Sequence, residues 1–351
     1  MRVWQIAAGD RGRDYSSWLV DHDLACLGPG DFGDYSAAAY ESVVEAGYLS
    51  SHKAGAIGHF RDTVRPGDLV LLRRGHRVVA IGVFADEAYK WDPAFDDVRG
   101  WDLQHSRRVV WQDQLRPKLE ARQAGSPLFG DRKQIPMFTR VRHRAVLDRV
   151  EDLLDEIHPR SLRPLPRPPS QILEDEELAH VLFSRGLSHH ATEGVVSALG
   201  RQRRLIDWYR EHGSETGRPT EHEVVAHVVL PLLLALGWSE QLLAVEWNRI
   251  DLAGFSSAPT TGGACSLVCE AKGLGHGLGG VLDQALWYVE QQSLTNCRRI
   301  LLTDGARFYL YSHAASEWTD QPASYLNVHK PRLRNADGTD GVELIMTLRQ
   351  S

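Results

Sequence analysis

The chain has 351 residues, 42% of them hydrophobic and 25% charged, which describes a globular protein and excludes a disordered or fibrous one. At about 150 residues per domain this length predicts two domains. The net charge of -6 excludes a chain coated in basic residues. The longest apolar run is interrupted by His227 and Pro231, so we expect no membrane span. The first residues become charged too soon for a signal peptide, and we expect a cytoplasmic protein.

The first half of the chain contains short apolar runs that are separated by Gly, Pro and Asp at irregular spacing. These runs are Val3 to Ala8, Asp68 to Leu72, Arg77 to Phe84 and Arg107 to Trp111. Short strands with such separators predict a small mixed β-barrel with a few helices.

Basic residues are concentrated between Arg99 and Arg149, where twelve Lys or Arg stand against five Asp or Glu, a net charge of +7. Such a stretch can follow a phosphate backbone through Coulomb attraction and counterion release. Solvated faces with paired charges are the alternative interpretation, and the charge pattern alone does not separate the two.

Aromatic residues in this half lie beside polar residues, where they can stack on extruded bases; packing within the barrel is the alternative for each of them. The stretches VWQIAAGD, GDLVLLRRGHRVVAIGVF and YKWDPAFDDVRGWDLQHSRRVVW resemble the PUA-like superfamily, which includes the EVE and YTH domains. Over roughly residues 1 to 150 the resemblance implies a pocket for a modified base on a small barrel.

The candidate residues for that pocket are Trp18, Trp91 and Trp101. Asp102 would accept a hydrogen bond from an exocyclic amine, and Arg107 and Arg108 would contact the phosphates. These groups fall on short segments of the first half, so stacking, hydrogen bonding and phosphate contact are all available there.

A proline-rich segment, HPRSLRPLPRPPS at residues 158–170, favours an extended linker because its five prolines remove backbone donors. The predicted domains are a base reader at 1–157, this linker, a helical spacer at 171–215 and a second α/β domain at 216–351. The spacer is predicted because its residues show no strand-like alternation.

The second half begins with a capping box at Thr220-Glu221-His222-Glu223, which gives Glu223 a structural role and leaves Glu221 free. Two candidate strands follow and carry Asp251, then, after eighteen residues, Glu270 and Lys272. Phosphodiester hydrolysis needs divalent cations held by carboxylates, plus a cationic group near the attacking water. A surface salt bridge is the alternative for this triplet alone.

The surrounding stretches extend the pattern: TEHEVVAHVVLPLLLALGW, EWNRIDLAGF, CSLVCEAKG, LDQALWYVEQ and RRILLTDGARFYLY. In this order they resemble the PD-(D/E)XK nuclease superfamily, especially the nuclease regions of type I restriction enzymes and related bacterial defence proteins. The resemblance implies a mixed-sheet nuclease core that uses Mg²⁺, with Mn²⁺ as a substitute.

Carried over residue by residue, the resemblance implies that Asp251 and Glu270 are metal ligands and that Lys272 positions the water or stabilises developing charge. Glu221 would be the auxiliary acid of the opening helix. Gln284 and Tyr288 lie four residues apart, on one helical face that can reach the active site or the substrate; core packing is the alternative for Tyr288.

Two features depart from common motifs. Ile250, rather than proline, precedes Asp251. The loop GLGHGLGG at residues 273–280 lacks the ending of a phosphate-binding P-loop, which argues against ATP binding and predicts a flexible turn that nucleic acid can approach.

Together these patterns predict a type IV restriction-like endonuclease that recognises a modified base, modified cytosine above all, in double-stranded DNA. Its use would be defence against modified phage DNA. A single active site per chain predicts a homodimer. The alternatives are an RNA-cleaving nuclease or toxin with an RNA-reading PUA-like domain, and a catalytically silent nucleic-acid-binding protein.

Overall fold

The structure is a computed structural model that describes residues 2–10, 13–30, 32–34, 44–45, 50–130, 136–217, 219–274, 278, 280–314, 317–319 and 321–350. The chain divides into two compact units, Met1–Pro168 and Pro169–Ser351. The described residues form two mixed sheets, one of them a half-barrel, together with helices. The predicted combination of α and β structure is confirmed.

The first unit is built on one mixed sheet and a short separate hairpin. Its strands are β1 Val3–Ala7, β2 Gly9–Asp10, β3 Arg13–Asp14, β4 Leu24–Leu27, β5 Leu69–Arg74, β6 Arg77–Phe84, β7 Lys90–Trp91, β8 His105–Trp111 and β9 Phe138–Arg140. Its helices include α1 Ser16–Asp21, α2 Ser51–Asp62, α3 Arg116–Arg122 and α4 Arg144–Asp148. The sheet order is β4-β8-β6-β5-β1-β9, with β7 on β8; β1 and β5 are parallel, and β2 pairs with β3.

Helix α2 forms because its sequence combines a cap with a buried face. The side chain of Ser50 accepts from the backbone N–H of Lys53, which satisfies one free donor at the helix start. Ala54, Ile57 and Phe60 recur every three residues and are buried. Phe60 packs at 5.1 Å from the ring of Phe138, so the helix covers one face of the sheet.

The predicted proline-rich linker forms no helix or strand from residue 159 to 170, and its residues up to Pro168 belong to the first compact unit, which they contact. Asp23 is fully buried and accepts from both terminal nitrogens of Arg160, at 2.5 and 2.6 Å. The backbone N–H of Arg163 donates to the same carboxylate at 2.7 Å. Burial opposes the charge of Asp23, but these hydrogen bonds outweigh it and lower the pKa of the carboxyl.

The second unit contains the other mixed sheet, with helices on both faces. Its helices include α5 Asp175–Ser184, α6 His189–Thr216, α7 Glu221–Val224, α8 Leu230–Ala235, α9 Val281–Gln291 and α10 Gly341–Leu348. Its strands are β10 Leu243–Trp247, β11 Ile250–Phe255, β12 Cys265–Ala271, β13 Arg299–Thr303, β14 Arg307–Ala314, β15 Glu317–Trp318 and β16 Ser324–Asn327. The order is β10-β11-β12-β13-β14-β15, with β16 on β14, and β12 runs parallel to β13.

The capping box at the start of α7 is confirmed. Thr220 accepts from the backbone N–H of Glu223, and the Glu223 carboxylate accepts from the Thr220 N–H at 2.7 Å. Between α7 and α8 the backbone widens into a π turn at Val225–Val229. Pro231 lies just beyond and has no N–H to donate to the preceding turn, which accounts for the irregular hydrogen bonding.

Helices α5 and α6 pack into the same hydrophobic core as α7, α8 and the sheet, so the predicted separate spacer is a structural part of the second unit. Leu178 and Leu182 on α5 and Leu199 on α6 are buried with Leu252 and Leu267 of the sheet. The opposite face of the sheet is covered by α9. The central strands β11, β12 and β13 are therefore largely closed off from water on both sides, whereas the edge strand β10 is partly exposed.

We expect Arg160→Gln to lower the free energy of unfolding of the first unit by about 2 kcal/mol, because it leaves the buried Asp23 carboxylate without its cation. Thermal and urea unfolding of the full chain measure this difference. The difference in unfolding free energy between the two proteins should shrink as the pH falls below about 3.9. The pKa of Asp23 is lowered in the folded protein, so the Asp23 carboxylate stabilises the fold only while it is ionised.

Arg116→Gln is the matched control, because Arg116 pairs with Glu120 on an exposed surface. Its effect should stay within about 0.5 kcal/mol. Equal effects of the two substitutions would contradict the assigned role of the Asp23 pair.

Candidate active site

Two carboxylates face each other on neighbouring strands of the second unit. Strands β11 and β12 are antiparallel, with Leu252 opposite Cys269. One residue further along this register, Asp251 is opposite Glu270, and opposite residues project from the same face of a sheet. Asp251 Oδ2 also accepts from the backbone N–H of Ala271 at 2.7 Å, which holds the Asp251 carboxylate at the end of β12.

Glu270 is fully buried, and α9 supplies its hydrogen-bond donor. Gln284 Nε2 donates to Glu270 Oε2 at 3.1 Å and to the hydroxyl of Tyr288 at 3.2 Å. The other carboxylate oxygen, Glu270 Oε1, is buried without a hydrogen-bond partner among the described residues. The structure therefore brings Gln284 and Tyr288 to the predicted acid, and Tyr288 also packs in the core behind it.

Both acids are held where their charged forms are disfavoured. Burial, and then the charge of Asp251, raises the pKa of Glu270 to about 8. Burial also raises the pKa of Asp251 above its ordinary value, although the Ala271 N–H and Lys272 act in the opposite direction. Two desolvated carboxylates side by side repel each other, and the repulsion is relieved by a proton or by a cation.

Lys272 is at the end of β12 and pairs with the opening helix. Its backbone N–H donates to the Thr303 carbonyl at 2.8 Å, and its Nζ lies 3.1 Å from Glu221 Oε1. The Lys272 side chain is 20% exposed and that of Glu221 is 46% exposed, so the pair lies at the rim of the site. Glu221 is available for this contact because Glu223 closes the capping box.

A tight turn after β13 supports the end of β12. Thr303 supplies the carbonyl that Lys272 contacts, and Asp304 Oδ1 accepts from the backbone N–H groups of Ala306 and Arg307. Gly305 has φ of +84°, a conformation that favours glycine. The Thr-Asp-Gly sequence thus fixes the backbone to which the lysine strand is attached.

The donor set fits a hard divalent cation. Magnesium prefers carboxylate oxygens, and the unpartnered, buried Glu270 Oε1 beside Asp251 offers such an oxygen. Within the described part of the chain, no group of three or more His, Cys, Asp or Glu is placed to hold a metal ion. Asp251 and Glu270 are the side chains that would hold such an ion, and water, backbone or phosphate oxygens would complete the coordination.

A further side-chain contact near the site has no signature in the sequence. His222 Nδ1 lies 3.0 Å from Glu246 Oε1, and the charge of Glu246 contributes to the raised pKa of Asp251. Glu246, Asn248 and Arg249 all have positive φ in the β10–β11 hairpin. Asparagine tolerates positive φ, so Asn248 is a sequence signal for the turn. The contact between His222 and Glu246 depends on tertiary packing and has no such signal.

The three tryptophans proposed for base recognition differ in their surroundings. Trp18 is 4% exposed, and its ring packs edge-on against Phe95 at 5.5 Å, so it is a core residue. Trp91 is partly exposed and donates from Nε1 to the Gly30 carbonyl at 2.9 Å. Trp101 is also partly exposed and packs edge-on at 5.8 Å from Tyr15. The adjacent Asp102 is partly exposed.

The two arginines predicted to contact phosphates bond to backbone carbonyls of the first unit. Arg107 is buried and donates to the carbonyls of Phe60 and Arg61. Arg108 donates to the carbonyls of Asp23 and Arg163. The predicted phosphate contact does not suit Arg107, because β8 turns its guanidinium inward and its hydrogen bonds hold the unit together.

Comparison with known proteins finds a family similarity within the first unit. Residues 4–126 match a family model described as Domain of unknown function (DUF8426). The search of curated proteins gives no match to the chain. Among the described helices, none combines the length and the apolar character needed to cross a membrane. In the loop after Lys272, residues 275–277 and 279 lie outside the described residues.

We expect Mg²⁺ binding at pH 7 to release nearly one proton, because Glu270, with a pKa of about 8, is mostly protonated beforehand and must ionise to act as a ligand. The affinity for Mg²⁺ should rise between pH 6 and 8, by up to about tenfold per pH unit. Calorimetric titration in buffers of different ionisation enthalpy measures the number of protons released.

Glu270→Gln should remove both the proton release and most of the affinity. Asp283→Asn is the matched control, because Asp283 is an exposed carboxylate on the same helix as Gln284. An affinity that does not change with pH in the unsubstituted protein would rule out Glu270 as the titrating ligand.

Proposed function

We propose that this protein is a metal-dependent nuclease whose second unit hydrolyses phosphodiester bonds. The observation that carries the proposal is the buried Glu270, opposite Asp251, with one carboxylate oxygen unpartnered among the described residues. Lys272 follows two residues later and contacts Glu221. These are the groups expected of a PD-(D/E)XK nuclease, and they meet at one end of the β11–β12 pair.

In the proposed reaction, a water oxygen attacks phosphorus, the bond from phosphorus to the leaving oxygen breaks, and the products are a phosphate monoester and a hydroxyl. Bound Mg²⁺ would polarise the phosphate and acidify the water. Asp251 and Glu270 would hold the cation, and the Gln284 amide keeps the Glu270 carboxylate in one orientation. Lys272 supplies positive charge for the attacking water or for the developing charge on phosphate.

The Glu221 carboxylate has a positioning role in this proposal. Its oxygen lies 3.1 Å from Lys272 Nζ, which restrains a long side chain that would otherwise sample many rotamers. The Thr303 carbonyl restrains the backbone of the same lysine. The ammonium group is thereby fixed near the two acids before substrate binds, which reduces the entropy lost in the transition state.

For the first unit we propose a PUA-like reader that directs cleavage to DNA with a modified base, modified cytosine being the first candidate. The partly exposed Trp91, Trp101 and Asp102 support this role, whereas Trp18 serves packing. One active site per chain cuts one strand at a time, so the proposal includes a homodimer for double-strand cleavage. The setting would be cytoplasmic defence against modified phage DNA.

We expect the full chain to cut plasmid that carries modified cytosine in the presence of Mg²⁺, and to leave it intact in EDTA. Asp251→Asn, Glu270→Gln and Lys272→Ala should each lower the cleavage rate by about a hundredfold or more, because each removes a group that acts on the metal or the water. Gel analysis of matched modified and unmodified plasmids measures the rates.

Binding of the same DNA in EDTA should be unchanged in these variants, and the exposed control Asp283→Asn should cleave at the normal rate. Cleavage of RNA in place of DNA would move the proposal to the RNA-cleaving alternative. Full activity of Glu270→Gln, or equal activity in Mg²⁺ and EDTA, would refute the proposed site.

A further inference from the structure

A cationic cleft of about 670 Å³ opens in the first unit, and its lining residues include none of those proposed for base recognition. It lies between the end of α2, the β1–β9 strand pair and the segment that follows β9. Its described lining contains no carboxylate. Its cationic and titratable lining residues are Arg2, Arg140, Arg142, His59 and His143.

The strand register explains how the cleft is built. Trp4 on β1 is opposite Arg140 on β9, so both side chains project from the same face of the sheet. Trp4 is buried, stacks on Phe138 at 5.0 Å and lines the cleft. Arg2 donates to the Thr63 carbonyl at 3.0 Å, which fastens that arginine to the end of α2.

Asp68 accepts hydrogen bonds from two residues that line the cleft, Arg2 and Trp4. Asp68 is 5% exposed and accepts from the backbone N–H of Arg2, from Trp4 Nε1 and from the backbone N–H of Arg65. These hydrogen bonds prevail over burial and lower the pKa of Asp68. Asp68 therefore holds Arg2 and Trp4 in place, and its charge acts on Arg2 but forms no ion pair with Arg140 or Arg142 among the described residues.

In the basic stretch from Arg99 to Arg149, some side chains already have hydrogen-bond or ion-pair partners and others form no ion pair with a described residue. Several of its members bond to carbonyls or pair with carboxylates: Arg107, Arg108, Arg116, Lys118, Arg122, Arg144 and Arg149. Arg140 and Arg142 are exposed, and neither forms an ion pair with another described residue. The uncompensated part of the net positive charge therefore includes the mouth of this cleft.

We infer that this cleft binds the sugar-phosphate backbone of a nucleic acid. Three arginines spread across an open cleft suit several successive phosphates better than one small anion, and each contact would release condensed counterions. The guanidinium forks of Arg140 and Arg142 can each bond two phosphate oxygens. The inference concerns the first unit alone, so it stands whether or not the second unit is a nuclease.

The test is the binding of a fluorescein-labelled 20-base-pair DNA duplex to the full chain in EDTA, measured by anisotropy at several salt concentrations. Arg140→Gln with Arg142→Gln should weaken binding by roughly tenfold or more at low salt. The slope of log affinity against log salt should also fall by about two. Arg140→Lys with Arg142→Lys keeps the charges and should retain most of the slope.

Arg116→Gln with Arg144→Gln is the matched control, because both arginines are exposed but paired with acids, and it should change the slope by less than about one. An unchanged affinity and slope in the Arg140/Arg142 double variant would overturn the inference. Displacement of the duplex by polyglutamate at the same charge concentration would also overturn it, since the cleft would then accept any polyanion. DNA binding that depends on Arg140 and Arg142, together with no cleavage of modified plasmid in Mg²⁺, would refute only the proposed nuclease.

Discussion

The second unit depends on one electrostatic constraint, the burial of Glu270 opposite Asp251. Burial raises the pKa of both carboxyl groups, and that of Glu270 reaches about 8. A pair of carboxylates in this state is destabilising unless a proton or a cation is shared between them. The surrounding fold must supply the stability that this pair removes. The apolar cores on both faces of the sheet are the source of that stability.

The same constraint explains why so many elements meet at this point. Helix α9 provides the Gln284 amide, the turn after β13 provides the Thr303 carbonyl, and α7 provides Glu221. Each of these groups orients a side chain or backbone atom of β12 without neutralising Glu270. Pre-organised polar groups of this kind reduce the reorganisation that a reaction would otherwise require. Rigid secondary structure on both sides of β12 keeps their geometry fixed.

Local signals predicted the parts of this site that depend on short stretches of sequence. The capping box at Thr220 and the two strands that carry Asp251 and Glu270 are properties of a few adjacent residues. Long-range contacts had no such signal. Arg160 is 137 positions from Asp23, so the docking of the proline-rich segment could not be read from composition, which indicated only an extended chain. The inward orientation of Arg107 had no local signal either, because an exposed and a buried arginine look alike in sequence until strand register is known.

The two units contain ionisable groups of opposite charge that form no ion pair among the described residues. The second unit holds two buried acids whose ionised forms call for a cation, whereas the first unit presents arginines that lack ion pairs within the described chain and call for an anion. A phosphodiester with a divalent ion answers both needs, because phosphate oxygens accept from guanidinium groups and can also complete the coordination of Mg²⁺. A small molecule with a bound cation would neutralise the two acids, but it would leave the arginines of the cationic cleft without a bound anion. An acid pair that fits a divalent cation, combined with a cationic cleft that suits several successive phosphates, therefore favours a polymeric, phosphate-bearing substrate over a metabolite.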